Sequence, residues 1–205
     1  MASVGKSVRA AIDEWERGEF EFAMLHACNA IDGTAAKVFP PKVGSNARFT
    51  GLLRQHYAVL GPMGLPGIDL MATRWPIKVD RPKATGGLPD IADVIYGVHR
   101  CTQGHGLELP DGFELFPDAA GPDRCTRFGV EKGKLQLSDR IIFGLLGVAV
   151  FSPVNIGQKV PDGYHLKFAG TVMFINDWWG RSADFLDLSA SETLPSVLLD
   201  FSSWQ

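Results

Sequence analysis

The sequence predicts a mainly α-helical protein with a small antiparallel β addition in its second half, an α+β fold. Apolar residues recur at three- and four-residue steps through most of the first hundred positions, which is the period of amphipathic helices. The second half instead alternates short apolar segments with glycine-containing turns, a pattern typical of hairpins. A chain of 205 residues, 45% of them hydrophobic, is long enough for one domain with a full core.

Four helices are predicted in the first half. Ser3 or Ser7 can cap the first helix, and Asn46 is the predicted cap of the third. The segment 61–67, with three glycines and two prolines, is expected to break the helical pattern. The buried stripes are predicted to be Val4, Val8, Ala11, Ile12 and Trp15; Phe20, Met24, Ala27, Ile31, Ala35 and Val38; Phe49, Leu52, Leu53 and Tyr57; and Ile91, Val94, Ile95 and Val98.

The second half is predicted to contain short strands around one buried helix. Turn sequences stand at 110–112, 131–133 and 161–163, and the segment 172–175 is a continuous apolar strand. The helix that Ser138-Asp139 opens is apolar almost all round, so it should pack against other elements on every side. We therefore expect a single domain over 1–205, with a helical core at 4–106 and an elaboration at 107–205 packed on it.

Composition limits the cellular setting and the partners. The net charge is −3, so any binding to nucleic acid must depend on a local basic patch. Three cysteines without a Cys-x-x-Cys spacing indicate reduced thiols. The N-terminus lacks the apolar segment of a signal peptide, and the most apolar run, 141–151, is about half the length of a membrane span. These features predict a soluble cytoplasmic protein that does not bind membranes.

The predicted fourth helix runs directly into Arg100-Cys101-Thr102-Gln103-Gly104-His105-Gly106. Arginine stays charged and binds phosphate with a planar fork, whereas histidine exchanges protons near neutral pH. Together, these two side chains suffice to cleave a phosphodiester without a metal ion. The structural alternative is that Arg100 lies on a solvated helix face and that His105 is favoured at the helix C-terminus by the dipole.

This motif, following helices that contain the sequence from Met24 to Lys37, resembles the signature of the HEPN superfamily. That signature is an arginine, four to six residues and then a histidine, often followed by glycine, in the later part of a helical bundle. The resemblance covers roughly the first half of the chain. It implies a homodimer in which two such motifs face each other and form one metal-independent RNase site.

The resemblance also implies a role for each residue. His105 would be the general acid/base and Arg100 the phosphate clamp, giving a 2′,3′-cyclic phosphate and a free 5′-OH. Asp32 or Asn29 would be the supporting polar residue on an early helix. The expected function is an endoribonuclease that acts as a toxin or defence effector, with an antitoxin or other defence protein as partner and no cofactor. Because some HEPN domains lack catalysis, a non-catalytic module that binds RNA, nucleotides or proteins is the alternative.

Three further groups of residues are candidates for binding. The segment from Arg74 to Lys83 could follow an RNA backbone and stack one base, or it could be a solvated loop whose tryptophan is buried. Its candidate RNA-binding residues are Arg74, Trp75, Lys78, Arg81 and Lys83. His99, Cys101 and His105 could be read as zinc ligands, but no fourth ligand stands nearby, so no metal is expected. The pair Trp178-Trp179 could anchor packing or form a binding surface.

Overall fold

The structure, a computed structural model, describes residues 3–104, 112–120, 126–131, 133–192, 195–201 and 203, with positions 100–104 described by their backbone alone. Over this part of the chain the fold is α+β, with helices predominating over two small sheets. The helices are α1 (Val4–Glu16), α2 (Phe20–Val38), α3 (Ser45–Gln55), α4 (Tyr57–Gly64), α5 (Ile91–Gly104), α6 (Arg140–Phe151), α7 (Ile175–Trp178) and α8 (Ser182–Ala190). The strands are β1 (Phe113–Phe116), β2 (Phe128–Glu131), β3 (Lys134–Ser138), β4 (His165–Phe168) and β5 (Thr171–Phe174).

The helices of the first half follow the apolar periodicity of the sequence. The Ser3 hydroxyl accepts a hydrogen bond from the Lys6 amide at 3.3 Å and so caps α1, as predicted. Asn46 is not the cap of α3, because the helix already begins at Ser45 after extended Gly44. Ile91, Val94, Ile95 and Val98 of α5 are buried, as their spacing predicts, and Ala92, Asp93, Tyr96 and His99 are buried as well.

The helix break predicted across 61–67 begins later than expected, because α4 continues through Pro62 and ends at Gly64, inside this segment. Close packing explains this result. A Cβ atom added at Gly64 would lie only 3.2 Å from the Gly144 Cα atom, so the absence of side chains lets α4 and α6 approach closely. Burial against α6 thus outweighs the low helix propensity of glycine and proline in this segment.

Helix α6 lies at the centre of the fold. It packs against α1, α2 and α4, and ten of its residues are buried, which confirms the prediction from its composition. One continuous core therefore includes residues from both halves of the chain, from Val4 to Phe185. The segment 107–205 contributes a central helix to the molecule as well as peripheral strands.

The two sheets differ in topology. Strands β4 and β5 form the expected antiparallel hairpin. The three-stranded sheet has the order β1-β3-β2, in which β2 and β3 are antiparallel but β1 and β3 are parallel. A purely antiparallel addition is therefore the wrong prediction. The connection from 117 to 133, which includes β2, is long enough to bring the chain back in the parallel direction.

Candidate functional site

The Arg–His motif lies at the C-terminal end of α5. The helix is continuous through position 100 and ends at Gly104, so Arg100 belongs to its final turns and His105 is the next residue along the chain. The Arg100 and Cys101 side chains and the whole of His105 lie outside the described residues. The structure therefore describes the backbone of the motif from Arg100 to Gly104.

Helix α3 packs beside α5 and holds it through contacts along its length. Near the start of α3, the Ser45 hydroxyl is 3.2 Å from the Tyr96 hydroxyl. The Phe49 ring then stacks on His99, with ring centroids 5.3 Å apart and planes inclined by 16°. At its other end, Arg54 reaches the first turn of α5. Among these contacts, the one nearest the motif is the stacking of Phe49 on His99, the residue that precedes Arg100.

A buried ionic network anchors the other end of α5. The Arg54 guanidinium donates two hydrogen bonds to the Asp90 carboxylate, at 2.7 and 2.8 Å, and lies 2.9 Å from Asp93. The Asp90 and Asp93 side chains are 5% and 2% exposed. Although burial by itself would raise it, the pKa of Asp90 is lowered overall by the hydrogen bonds and charge of Arg54. Asp90 also accepts from the Asp93 amide, which satisfies an N–H group of the first helical turn.

The basic segment that precedes α5 lies alongside this helix. The Asp93 carboxylate accepts hydrogen bonds from the backbone amides of Lys83 and Ala84, at 2.9 and 2.8 Å. The Val79 side chain packs against Gly97, with Cγ1 3.4 Å from the position that a Cβ atom would occupy there. Lys78, Arg81 and Lys83 are exposed. The fold thus places three cationic side chains beside the motif helix.

The assignment of Trp75 as a base-stacking residue is wrong. Its side chain is fully buried and packs against Phe128 and Phe201, with centroid distances of 6.3 and 6.1 Å. A ring without exposed surface cannot stack on a nucleobase, so the packing alternative is correct for this residue. Arg74 also makes hydrogen bonds within the protein, because its guanidinium donates to the carbonyl oxygens of Met71 and Thr73 at 2.9 and 3.0 Å.

Asn29 and Asp32, the candidate supporting residues, are half-buried on α2, which packs against α5. His99, one of the three zinc candidates, is buried in the core against Phe49, whereas the Cys101 side chain and His105 fall outside the described part of the chain. Within that part, no three His, Cys, Asp or Glu side chains are grouped so that they could share a metal ion. The described helices also include none with the length and hydropathy needed to cross a bilayer.

The tryptophan pair has two different environments. The Trp178 ring lies 5.6 Å from Phe151, and the Arg181 guanidinium is 4.8 Å from its centroid. Trp179 is 7% exposed, so it belongs to the core. These contacts favour an anchoring role in packing for both rings.

A groove of about 470 Å³ was not found by sequence reasoning. Helix α1, the ends of α4 and α6, and residues 162–167 form its walls, so it combines segments from both halves of the chain. The only sequence signal was the alternation at 164–168, which predicted a strand but not which edge of that strand would line a groove.

Comparison with known proteins identifies the family. A family model described as Rv1289 matches residues 3–205. Uncharacterized protein Rv1289 of Mycobacterium tuberculosis is 40% identical over 201 residues, which cover 97% of this chain and 93% of the relative. The same values apply to Uncharacterized protein Mb1320 of Mycobacterium bovis. No solved structure matches the chain. Because the family model spans nearly every residue, this chain belongs to the Rv1289 family.

Proposed function

We propose that this protein is a metal-independent endoribonuclease of HEPN type that acts as a toxin or defence effector. The observation that supports the proposal is the location of the motif: α5 carries Arg100 in its final turns, and His105 follows the helix end. A residue in the last turns of a helix is held in a fixed position by the helix. A residue that follows the helix end can turn away from the helix axis. Two groups that would be separated on a continuous helix can thereby approach one phosphate.

The chemistry follows from the two side chains. A neutral His105 imidazole would take the proton from a ribose 2′-OH, which then attacks the adjacent phosphorus. Arg100 would stabilise the charge that develops on the phosphorane oxygens. The imidazolium so formed would then give this proton to the leaving 5′ oxygen, so the products are a 2′,3′-cyclic phosphate and a free 5′-OH. Asp32 or Asn29 on α2 would support the pair.

The exposed cations beside α5 would supply RNA binding. Because the whole chain has a net charge of −3, affinity for a polyanion must come from such a local patch. Lys78, Arg81 and Lys83 are exposed on the segment tied to α5 by Asp93, so they would hold the RNA backbone near the helix that carries the motif.

The proposal includes a homodimer. One arginine and one histidine are few groups for a complete site, and a two-fold axis would bring two of each together through an isologous interface. We expect a dimer by sedimentation velocity at micromolar concentration, with reversible dissociation on dilution. A monomer at every concentration tested would contradict the two-fold site.

Cleavage of RNA should persist in excess EDTA, because the proposed step uses only imidazole and guanidinium groups. The measurement is gel analysis of mixed RNA incubated with the full chain, with mass spectrometry of the termini to identify 2′,3′-cyclic phosphates. Loss of cleavage in EDTA that a single added metal ion restores would contradict the mechanism and favour the zinc alternative. RNA binding without cleavage would instead support the non-catalytic module, with an antitoxin or defence protein as the partner to seek.

A further inference from the structure

The groove between α1 and β4 is a preformed cavity. The Trp15 indole donates a hydrogen bond to the Asp139 carboxylate at 2.7 Å, and its ring meets Phe143 edge-to-face at 4.8 Å. The Tyr164 hydroxyl is held by a hydrogen bond to Asp13. These contacts fix the aromatic walls before anything binds. A volume of about 470 Å³ is within the usual range for ligand sites.

One wall of the groove is an unpaired strand edge. The Ile175 amide donates to the Tyr164 carbonyl at 3.0 Å, and this pair continues the β4–β5 register one step beyond His165–Phe174. Hydrogen-bonded and non-hydrogen-bonded pairs alternate along an antiparallel ladder, so the backbone groups of His165 and Lys167 point away from β5. Over the described residues, these outward backbone groups have no hydrogen-bond partner.

The outward edge of β4 faces the groove. His165 and Lys167 have exposed side chains, whereas the Leu166 side chain between them is buried on the other face of the hairpin. All three residues nevertheless line the groove. Consecutive residues of a strand can border one cavity only if that cavity runs along the strand edge, because their side chains point to opposite faces.

The groove also carries positive charge that is incompletely neutralised. The Arg140 guanidinium donates to the carbonyl oxygens of Met63 and Pro62, at 2.9 and 3.2 Å, and to the Thr126 hydroxyl at 3.3 Å. A guanidinium has five N–H groups. Two of those of Arg140 make no hydrogen bond to the residues that the structure describes, and these are available to an incoming acceptor. Partial burial lowers the pKa of Arg140, which shows that desolvation outweighs the nearby negative charge.

Other charged groups line the same groove. Lys167 forms no ion pair with the carboxylates of the described part of the chain. Glu16 and Asp162 are on the walls too, so the groove has both signs of charge rather than a uniformly basic surface. A mixed rim around an apolar floor suits a peptide, whose backbone is dipolar, better than a simple polyanion.

We propose that this groove binds an extended peptide of a partner protein by strand addition to β4. Backbone hydrogen bonds to His165 and Lys167 set the register. An apolar side chain of the peptide packs against Met63, Trp15 and Phe143, and an acidic side chain takes the remaining N–H groups of Arg140. This proposal uses none of the proposed RNase residues and is independent of that activity.

A displayed library of random heptapeptides, selected against the full chain, tests the proposal. Selected peptides are resynthesised, and their affinity is measured by isothermal titration calorimetry. We expect them to carry an apolar residue and an acidic residue. Lys167→Pro removes the N–H group that faces the groove while leaving the β5 ladder intact, because edge strands tolerate proline at such positions. It should weaken binding about tenfold or more relative to Lys167→Ala, which removes the side chain alone.

Val172→Pro is the matched control. Val172 faces Lys167 across the hairpin, and its N–H group points away from β4 on the opposite edge. This variant should keep the wild-type affinity within about twofold. Absence of any enriched peptide, equal binding by Lys167→Pro and Lys167→Ala, or an equal loss in Val172→Pro would overturn the proposal.

A second measurement covers the case in which Lys167→Pro does not fold. Hydrogen exchange on the wild-type complex should show slower exchange of the His165 and Lys167 amides. N-methylation of the peptide amide that pairs with β4 should reduce affinity about tenfold. Unchanged exchange at both amides, or unchanged affinity after every single N-methylation, would exclude strand addition.

Discussion

Replacement of His105 by alanine should lower the rate of RNA cleavage by about 10²–10⁴-fold, the usual cost of losing a general acid/base. The fold should be retained, because His105 stands between Gly104 and Gly106 just after α5 and is expected to lie outside the core. The rate is measured on a defined RNA substrate at saturating enzyme, with circular dichroism as the check on folding. If the variant unfolds instead, His105 has a structural role and the catalytic assignment fails.

Arg100→Lys is the companion variant for His105→Ala. Lysine keeps the positive charge but loses the planar fork that binds two phosphate oxygens, so this variant should be nearly as inactive as Arg100→Ala. Near-wild-type cleavage by Arg100→Lys would show that the charge contributes only general attraction for RNA. Arg100→Lys and His105→Ala should both retain RNA binding through Lys78, Arg81 and Lys83.

Arg54→Ala should lower the free energy of unfolding by about 3 kcal/mol, the lower end of the cost of removing one partner of a buried ion pair. The change leaves Asp90 and Asp93 buried without their cation. The loss should be at the lower end of this range because the Arg54 side chain is 27% exposed, so water can partly replace the guanidinium group in the variant. Urea denaturation near pH 7 measures the loss, and Arg54→Lys should have an intermediate effect.

The dependence of this loss on pH is a further check. The folded pKa of Asp90 is below its unfolded value, so its contribution is present above about pH 4 and is lost as the pH falls through the folded pKa. The difference in the free energy of unfolding between the wild type and Arg54→Ala should therefore become smaller as the pH is lowered into the acid range. Arg17→Ala is the control, since the exposed Arg17–Glu14 pair should contribute less than about 1 kcal/mol. Equal losses in the two variants would contradict the role of the buried network.

The sequence alone determined much of the helical structure. The apolar positions of α1, α2 and α5 repeat with the helical period, and the all-apolar composition of α6 required burial on every side. Short-range signals of this kind are carried by each segment itself. The two strand segments of the β4–β5 hairpin were equally visible, because alternation and an apolar run are local properties, but the predicted turn at 161–163 precedes β4 and is not the turn at 169–170 that joins the strands.

Tertiary structure decided what local pattern could not. Helix α4 extends through Pro62 to Gly64, into a glycine- and proline-rich segment, because Gly64 and Gly144 allow close contact between helices distant in sequence. The Trp75 ring is buried by Phe128 and Phe201, which the basic residues around it gave no reason to expect.

The groove shows the same limit. It is formed by residues of α1, α4, α6 and β4. The relative positions of these elements are set by the core that they share. The free energy of burial depends on every surface that is brought into contact. The sequence of one segment therefore does not predict which other segments it packs against. The sequence identified Arg100 and His105 as chemically capable residues. Only the fold showed that three exposed cations lie beside the helix that carries Arg100, and that a cavity lies along β4.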